Sequence, residues 1–283
     1  MDMKRAHFSG SWYPETASAC EGEILGFLNE YDMLSVPGKE YQSGIVPHAG
    51  WFFSGAVACH VINTLKGKKA PDLIVLFGKH LRPQDPSTIM VKGSLETPLG
   101  IIDIHDSFAA SLAGNLNIRI ETAGTSQPEN TIELQLPFIR YFFPGVPVVP
   151  VGVPPTSQAE IIGRECVTIA RNMGLTIKTI GSTDLTHYGP NYGFTPQGTG
   201  ARGVAWVKDV NDRQIISTMI SMDEPGILKE AMNSSNACCA GAAVAAVAAG
   251  KALGASKGEL LCYTTSYDKS PGDSLVGYAG IVF

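Results

Sequence analysis

Three segments of the chain end in residues that can do chemistry. His48 lies in Val46-Pro-His-Ala-Gly-Trp51, a Pro/Gly-bounded turn directly after the short apolar run Gly44-Ile-Val46. His80 closes Gly78-Lys-His80, which follows Leu73-Ile-Val-Leu-Phe77. Asp184 and His187 lie in Gly181-Ser-Thr-Asp184-Leu-Thr-His187, after Thr176-Ile-Lys-Thr-Ile180. These runs read as short buried strands. In an open, mostly parallel α/β sheet, functional groups collect beyond the carboxyl ends of the strands. Two imidazoles, a carboxylate and a third imidazole are therefore expected in one site.

Neutral imidazole offers a ring lone pair without charge, which makes His48 and His80 candidate metal ligands. A third candidate is Cys239, at the start of an expected helix. There the helix dipole and unpaired N–H groups favour thiolate, the form that binds metal or attacks an electrophile. The adjacent Cys238 can share or take that role, and both can equally be small core residues. Two imidazoles and a thiolate suit iron, copper or zinc better than magnesium or calcium. Asp184 can orient His187, whose ordinary pKa suits a general acid/base. Glu129 and Glu133 lie four apart in Pro128-Glu-Asn-Thr-Ile-Glu-Leu-Gln-Leu-Pro137 and share one face if both are helical. The remaining histidines, His7, His60 and His105, have no comparable setting.

The elements that must position these groups follow in order. A helix is expected over Glu15–Tyr31 and a loop near Val36-Pro-Gly38, then the His48 strand and turn, with Ser54 as N-cap of a helix reaching Leu65. Strand, helix and the Leu73–Phe77 strand make a βαβ unit with a right-handed crossover. Thr88–Asp103 reads as a hairpin on the sheet rim and Asp106–Leu112 as a short helix. Val146–Val153 reads as a strand, followed by a helix capped by Ser157 and running to Asn172. A Gly/Pro-rich loop over Gly189–Gly203 has the length of a functional lid. Helices follow over Asp209–Ser221, over Glu224–Met232 with Asp223 as N-cap, and over the Ala-rich stretch Ala240–Leu253. Leu260–Tyr267 and Leu275–Phe283 close the chain as strands.

A chain of 283 residues that is 44% hydrophobic and 17% charged, with a net charge of −5, fits a compact enzyme-like protein. It has no basic footprint for nucleic acid, no signal-peptide core at its start and no apolar run long enough to span a membrane. The six cysteines are scattered, so disulfides are not expected, and a cytoplasmic protein of one α/β domain, residues 1–283, is. The absence of GxGxxG, P-loop, GxSxG and CxxC patterns removes the usual nucleotide, acyl-hydrolase and thioredoxin readings.

Pro47-His-Ala-Gly-Trp-Phe-Phe-Ser-Gly55, Gly78-Lys-His80, Glu96-Thr-Pro-Leu-Gly100, Glu129–Phe138, Ser182-Thr-Asp-Leu-Thr-His-Tyr188, Cys239 with its Ala/Val helix, and Val276–Phe283 together resemble the Memo family. These are the B proteins of the archaeal and bacterial AmmeMemoRadiSam group. Ser9-Gly-Ser-Trp-Tyr-Pro14 resembles the family's N-terminus, so the likeness covers nearly the whole chain. It implies a fold like that of class III extradiol ring-cleaving dioxygenases, a central mostly parallel sheet flanked by helices. It also implies iron or copper held by His48, His80 and Cys239, with Asp184, His187 and Glu129 as candidate catalytic groups. Cys239 is preferred to Cys238 because an ungapped count back from Ala243-Val-Ala-Ala246 reaches it.

This chain departs from the family pattern in three places. Asn130 replaces a histidine, Lys79 replaces an asparagine, and Cys239-Ala-Gly-Ala242 replaces Cys-Gly-x-Gly. Lys79 is expected to favour an anionic ligand. The function expected is a metal-dependent oxidoreductase of dioxygenase type acting on a small aromatic or anionic substrate. Iron is the leading cofactor, with copper or zinc as alternatives. A metal-containing protein that binds a peptide or phosphopeptide without turnover is the second expectation, and a zinc hydrolase the third. Radical SAM and AMMECR-type proteins are the partners the resemblance implies, and a homo-oligomer is among the assemblies considered.

Overall fold

The computed structural model describes residues 2–30 and 39–283. The Val36-Pro-Gly38 loop and the end of the first expected helix lie outside the described residues. The strands are β1 Met3–Lys4, β2 Ser43–Val46, β3 Leu73–Gly78, β4 Thr88–Met90, β5 Ser94–Thr97, β6 Gly100–Asp103, β7 Arg119–Glu121, β8 Val148–Gly152, β9 Ile177–Ser182, β10 His187–Tyr188, β11 Glu259–Thr265 and β12 Leu275–Val282. The helices are α1 Ala17–Leu28, α2 Trp51–Thr64, α3 Asp106–Leu116, α4 Asn130–Glu133, α5 Leu136–Phe142, α6 Gln158–Met173, α7 Ala201–Trp206, α8 Asp212–Ile220, α9 Glu224–Ser234, α10 Ala240–Ala252 and α11 Ser266–Lys269.

The large sheet runs β10-β12-β2-β9-β3-β8-β4-β7, with β11 on β12. Its centre, β2-β9-β3-β8, is parallel, and β12 and β4 flank that centre antiparallel. This is the α/β architecture expected, and β3 and β9 are buried along their whole length, as continuous apolar runs demand. Neighbouring residues of β2 show the two covered faces. Ser43 Oγ donates to Ala246 O in α10, whereas Gly44 faces Val61 in α2. Helices α10 and α6 thus pack on one face, and α2, with α1 and α5, on the other.

Helix α10 owes its place to small side chains. From Ala240 to Gly250 every residue is buried. A Cβ on Gly181 of β9 would sit 2.5 Å from the Ala242 carbonyl oxygen, so this contact requires glycine. That close approach brings the start of α10 down to the carboxyl ends of the parallel strands.

Several expectations need correction. Ser54 is not an N-cap; α2 starts three residues earlier, after Gly50, and the Ser54 hydroxyl donates to Ala49 O at 3.0 Å. The early start follows from Trp51, whose buried ring stacks on Phe138 at 4.2 Å and donates its indole N–H to Leu134 O. Hairpin β5–β6 joins β1 in a separate three-stranded sheet instead of the main rim. The expected loop holds a 3-10 turn at Pro190–Tyr192, and α7 begins within it at Ala201 and runs through a π-turn at Val207–Asn211 into α8. Glu129 is an extended N-cap residue, so it and Glu133 do not share a helical face.

Candidate metal centre

His48, His80 and Asp184 are each the second residue beyond the end of a strand, of β2, β3 and β9 respectively. The strands are neighbours in register, Val46 opposite Ser182 and Phe77 opposite Gly181, so the three residues emerge level with one another. Helix α10 adds the sulfurs. The Cys238 N–H donates to Asp184 O at 3.1 Å and the Cys239 N–H to Thr183 Oγ1 at 3.0 Å, which ties the helix start to the loop after β9. One ligand atom from each of His48, His80, Cys238 and Cys239 then lies within 4.8 Å of the others. The Cys238 sulfur is 3.3 Å from His48 Nε2 and 3.9 Å from the Cys239 sulfur, and the imidazole centroids are 4.9 Å apart. Borderline-soft nitrogen and soft sulfur donors at these spacings fit a transition metal.

The outer groups orient both imidazoles. His48 Nδ1 meets Ser182 Oγ at 3.0 Å, leaving Nε2 toward the sulfurs. His80 Nδ1 lies 3.4 Å from Glu129 Oε1. Carboxylate and hydroxyl partners of this kind fix ring orientation at metal sites. Glu129 itself is held by the N–H groups of Thr131 and Ile132 and the Thr131 hydroxyl. It therefore sits behind His80 as a positioning group.

Electrostatics within the cluster are concentrated on Cys238. Burial pushes His48 toward its neutral form, but Asp184 and Cys238 outweigh this and lift its pKa to about 9. Hydrogen bonds to Cys238 and Glu129 lift His80 to about 10. Burial opposes ionisation of Cys238, yet Cys239 and the two imidazoles hold it well below the usual thiol range. Cys239, pushed well above that range by burial and by Cys238, is the thiol of the pair. Cys238 is the sulfur in contact with an imidazole, 3.3 Å from His48 Nε2. A metal ion held here would take the place of these protons.

The two imidazoles of the cluster, His48 and His80, line an open cleft of about 680 Å³. His187 lines it with its Nδ1–H donated to Leu185 O at 3.1 Å, which leaves Nε2 as a free acceptor. Asp184 also lines the cleft and accepts the His48 backbone N–H at 2.7 Å. The walls include Trp12, Phe52, Tyr192 and Tyr278, the first three 41%, 64% and 47% exposed. No Lys or Arg lines the cleft among the described residues.

Two departures from the family pattern gain a physical account. Asn130 Nδ2 donates to His48 O at 3.0 Å and lines the cleft, so the amide braces the turn that carries His48. Lys79 has a left-handed φ of 72°, a conformation asparagine adopts more readily than lysine. Its ammonium pairs with Glu121 on the far side of the strand end. Lys79, expected to favour an anionic ligand, is thus engaged with Glu121 and is not among the residues that line the cleft. Glu133 also points away, binding the Phe8 N–H and the Tyr13 hydroxyl. Reading the sequence missed Ser182 and the aromatic walls, which have no motif to mark them.

Together these features define an α/β protein with a histidine–cysteine cluster at the ends of parallel strands. Over residues 4–282 the chain matches the family described as Memo-like protein, and it belongs to the Memo family. It is 34% identical to the MEMO1 family protein MK0963 of Methanopyrus kandleri, over 84% of this chain and 82% of that one. It is 30% identical to the MEMO1 family protein PF1638 of Pyrococcus furiosus, over 99% of this chain and 98% of that one.

Proposed function

We propose that this protein is a metal-dependent oxidoreductase, with iron or copper held by His48, His80 and Cys239 and a small aromatic substrate bound in the cleft above them. The observation that carries this reading is the convergence of two imidazoles with two sulfurs, the imidazoles lining a cleft that His187 also lines. When bound, such a metal supplies Lewis acidity and one-electron redox chemistry toward dioxygen.

The protein's own groups would bind, orient and move protons. Trp12, Phe52 and Tyr192 offer faces for a planar ring. His187, with Nε2 unengaged, can accept a phenolic proton and return it. Asp184 steadies both the His48 turn and the His187 loop. The lack of Lys and Arg in the lining favours a neutral aromatic substrate over an anionic one, and it weighs against a phosphopeptide, which Arg clusters usually recognise.

The test is elemental analysis of protein purified without oxygen and without a metal-affinity tag, followed by oxygen uptake with a panel of catechols. About one iron or copper per chain, with uptake lost in His187→Gln but metal retained, is the expected result. Wild-type protein that holds neither iron nor copper sinks the oxidoreductase reading.

A further inference from the structure

We propose that Cys238 and Cys239 are both metal ligands, so that the ion is held by two imidazoles and two thiolates instead of one sulfur. This rests on the metal-binding reading above, and it gives the adjacent cysteine pair a role of its own.

The geometry carries it. With metal–nitrogen bonds of roughly 2.0–2.1 Å and metal–sulfur bonds of roughly 2.3 Å, neighbouring donors of a tetrahedral site lie roughly 3.3–3.8 Å apart. The Cys238 sulfur lies 3.3 Å from His48 Nε2 and 3.9 Å from the Cys239 sulfur, and all four donors fall within 4.8 Å. A set with Cys239 as its single sulfur would leave Cys238 against a ligand imidazole with no work to do.

Adjacent side chains in extended backbone point to opposite sides, so two sulfurs in sequence rarely reach one ion. Here the alternation is broken. Cys239 is the N-cap of α10, with φ −127° and ψ 54°, and its N–H is fixed on Thr183 Oγ1. The N–H of Cys238 is fixed on Asp184 O. These anchors turn both sulfurs toward His48 and His80. The unpaired N–H groups at the start of α10 add positive potential beside the two thiolates. Cys20, Cys59, Cys166 and Cys262 are buried singly and join no such group among the described residues.

On binding, any protons on the two sulfurs and on the coordinating ring nitrogens pass to solvent, so a divalent ion meets two thiolates and two neutral imidazoles. Such a donor set favours thiophilic ions.

Cobalt(II) is the probe, because each cobalt–thiolate bond adds sulfur-to-metal charge-transfer absorption. Wild-type protein should bind one cobalt per chain. Cys238→Ser and Cys239→Ser should each keep about half of the absorption per bound cobalt, and the double variant should lose it. X-ray absorption at the zinc edge of zinc-loaded wild-type protein needs no variant and should count two sulfur and two nitrogen neighbours. Full absorption in Cys238→Ser, with one sulfur neighbour, overturns the proposal and leaves the His48/His80/Cys239 reading standing. Full absorption in Cys239→Ser overturns both the proposal and that ligand set. Wild-type protein that binds neither cobalt nor zinc overturns the metal site altogether.

Discussion

Asp184 Oδ1 accepts the backbone N–H of His48 at 2.7 Å, joining the loop after β9 to the turn after β2 across a buried interface. Asp184→Ala leaves that N–H without a partner and should lower stability by about 1–3 kcal/mol in urea unfolding. Asp184→Asn keeps an acceptor but removes the charge. Because Asp184 is among the groups that raise His48 to about 9, its neutralisation should shift the His48 titration in metal-free protein to lower pH. An unchanged imidazole titration by NMR would show that Cys238 alone holds the proton on His48.

Lys79 and Glu121 form a largely buried ion pair behind the site. Lys79→Ala should therefore cost stability, about 3 kcal/mol for breaking a buried pair, while leaving metal content at the wild-type level. A variant that unfolds normally but binds less metal would put the ammonium back into the cleft.

Glu133 anchors the N-terminal arm by accepting from the Phe8 N–H at 2.7 Å and the Tyr13 hydroxyl at 3.1 Å. Glu133→Ala strips two donors of their acceptor and should destabilise by about 2–3 kcal/mol. Limited proteolysis should then cut the arm first. Cleavage at wild-type rates would refute the anchoring role.

Gly181→Ala forces a methyl group against the Ala242 carbonyl and should lift α10 from β9, costing about 1–3 kcal/mol. Since α10 carries both sulfurs, zinc affinity measured against a chromophoric chelator should fall as well. If stability falls and affinity does not, the sulfurs are placed by the Thr183 and Asp184 anchors and not by the helix.

His187→Gln should retain metal and lose turnover, by about a hundredfold or more if the imidazole transfers a proton. Comparable loss of both would make His187 structural.

Strand ends were the legible part of this site. Short apolar runs followed at once by His48, His80 and Asp184 carry their direction and their burial in the order of residues, and parallel pairing turns that order into convergence. What residue order cannot carry is contact between distant segments. Cys238 and Cys239 differ in sequence by one position, and only the anchoring of their N–H groups brings both sulfurs to one point. Glu129 read as half of a helical pair because spacing is blind to a cap, and Ser54 read as a cap because spacing is blind to the packing of Trp51. For Lys79, charge was visible and backbone conformation was not: it is left-handed at the first position after a buried strand, and its ammonium is paired with Glu121.

Strand β12 pairs with β2 in the register Ile281 opposite Ile45, so the strand that presents His48 is completed by one made more than 200 residues later. During synthesis β2 therefore keeps an open edge until β12 has been made. Pairings so distant in sequence are slow to form. Val276 and Tyr278 of β12 also line the cleft, and α10 precedes that strand by only a short segment. The cluster and its cleft are thus complete only once α10 and β12 are in place. A metal ion would meet an assembled pocket only after β12 has been made and paired, and loading would be an event of maturation with timing of its own.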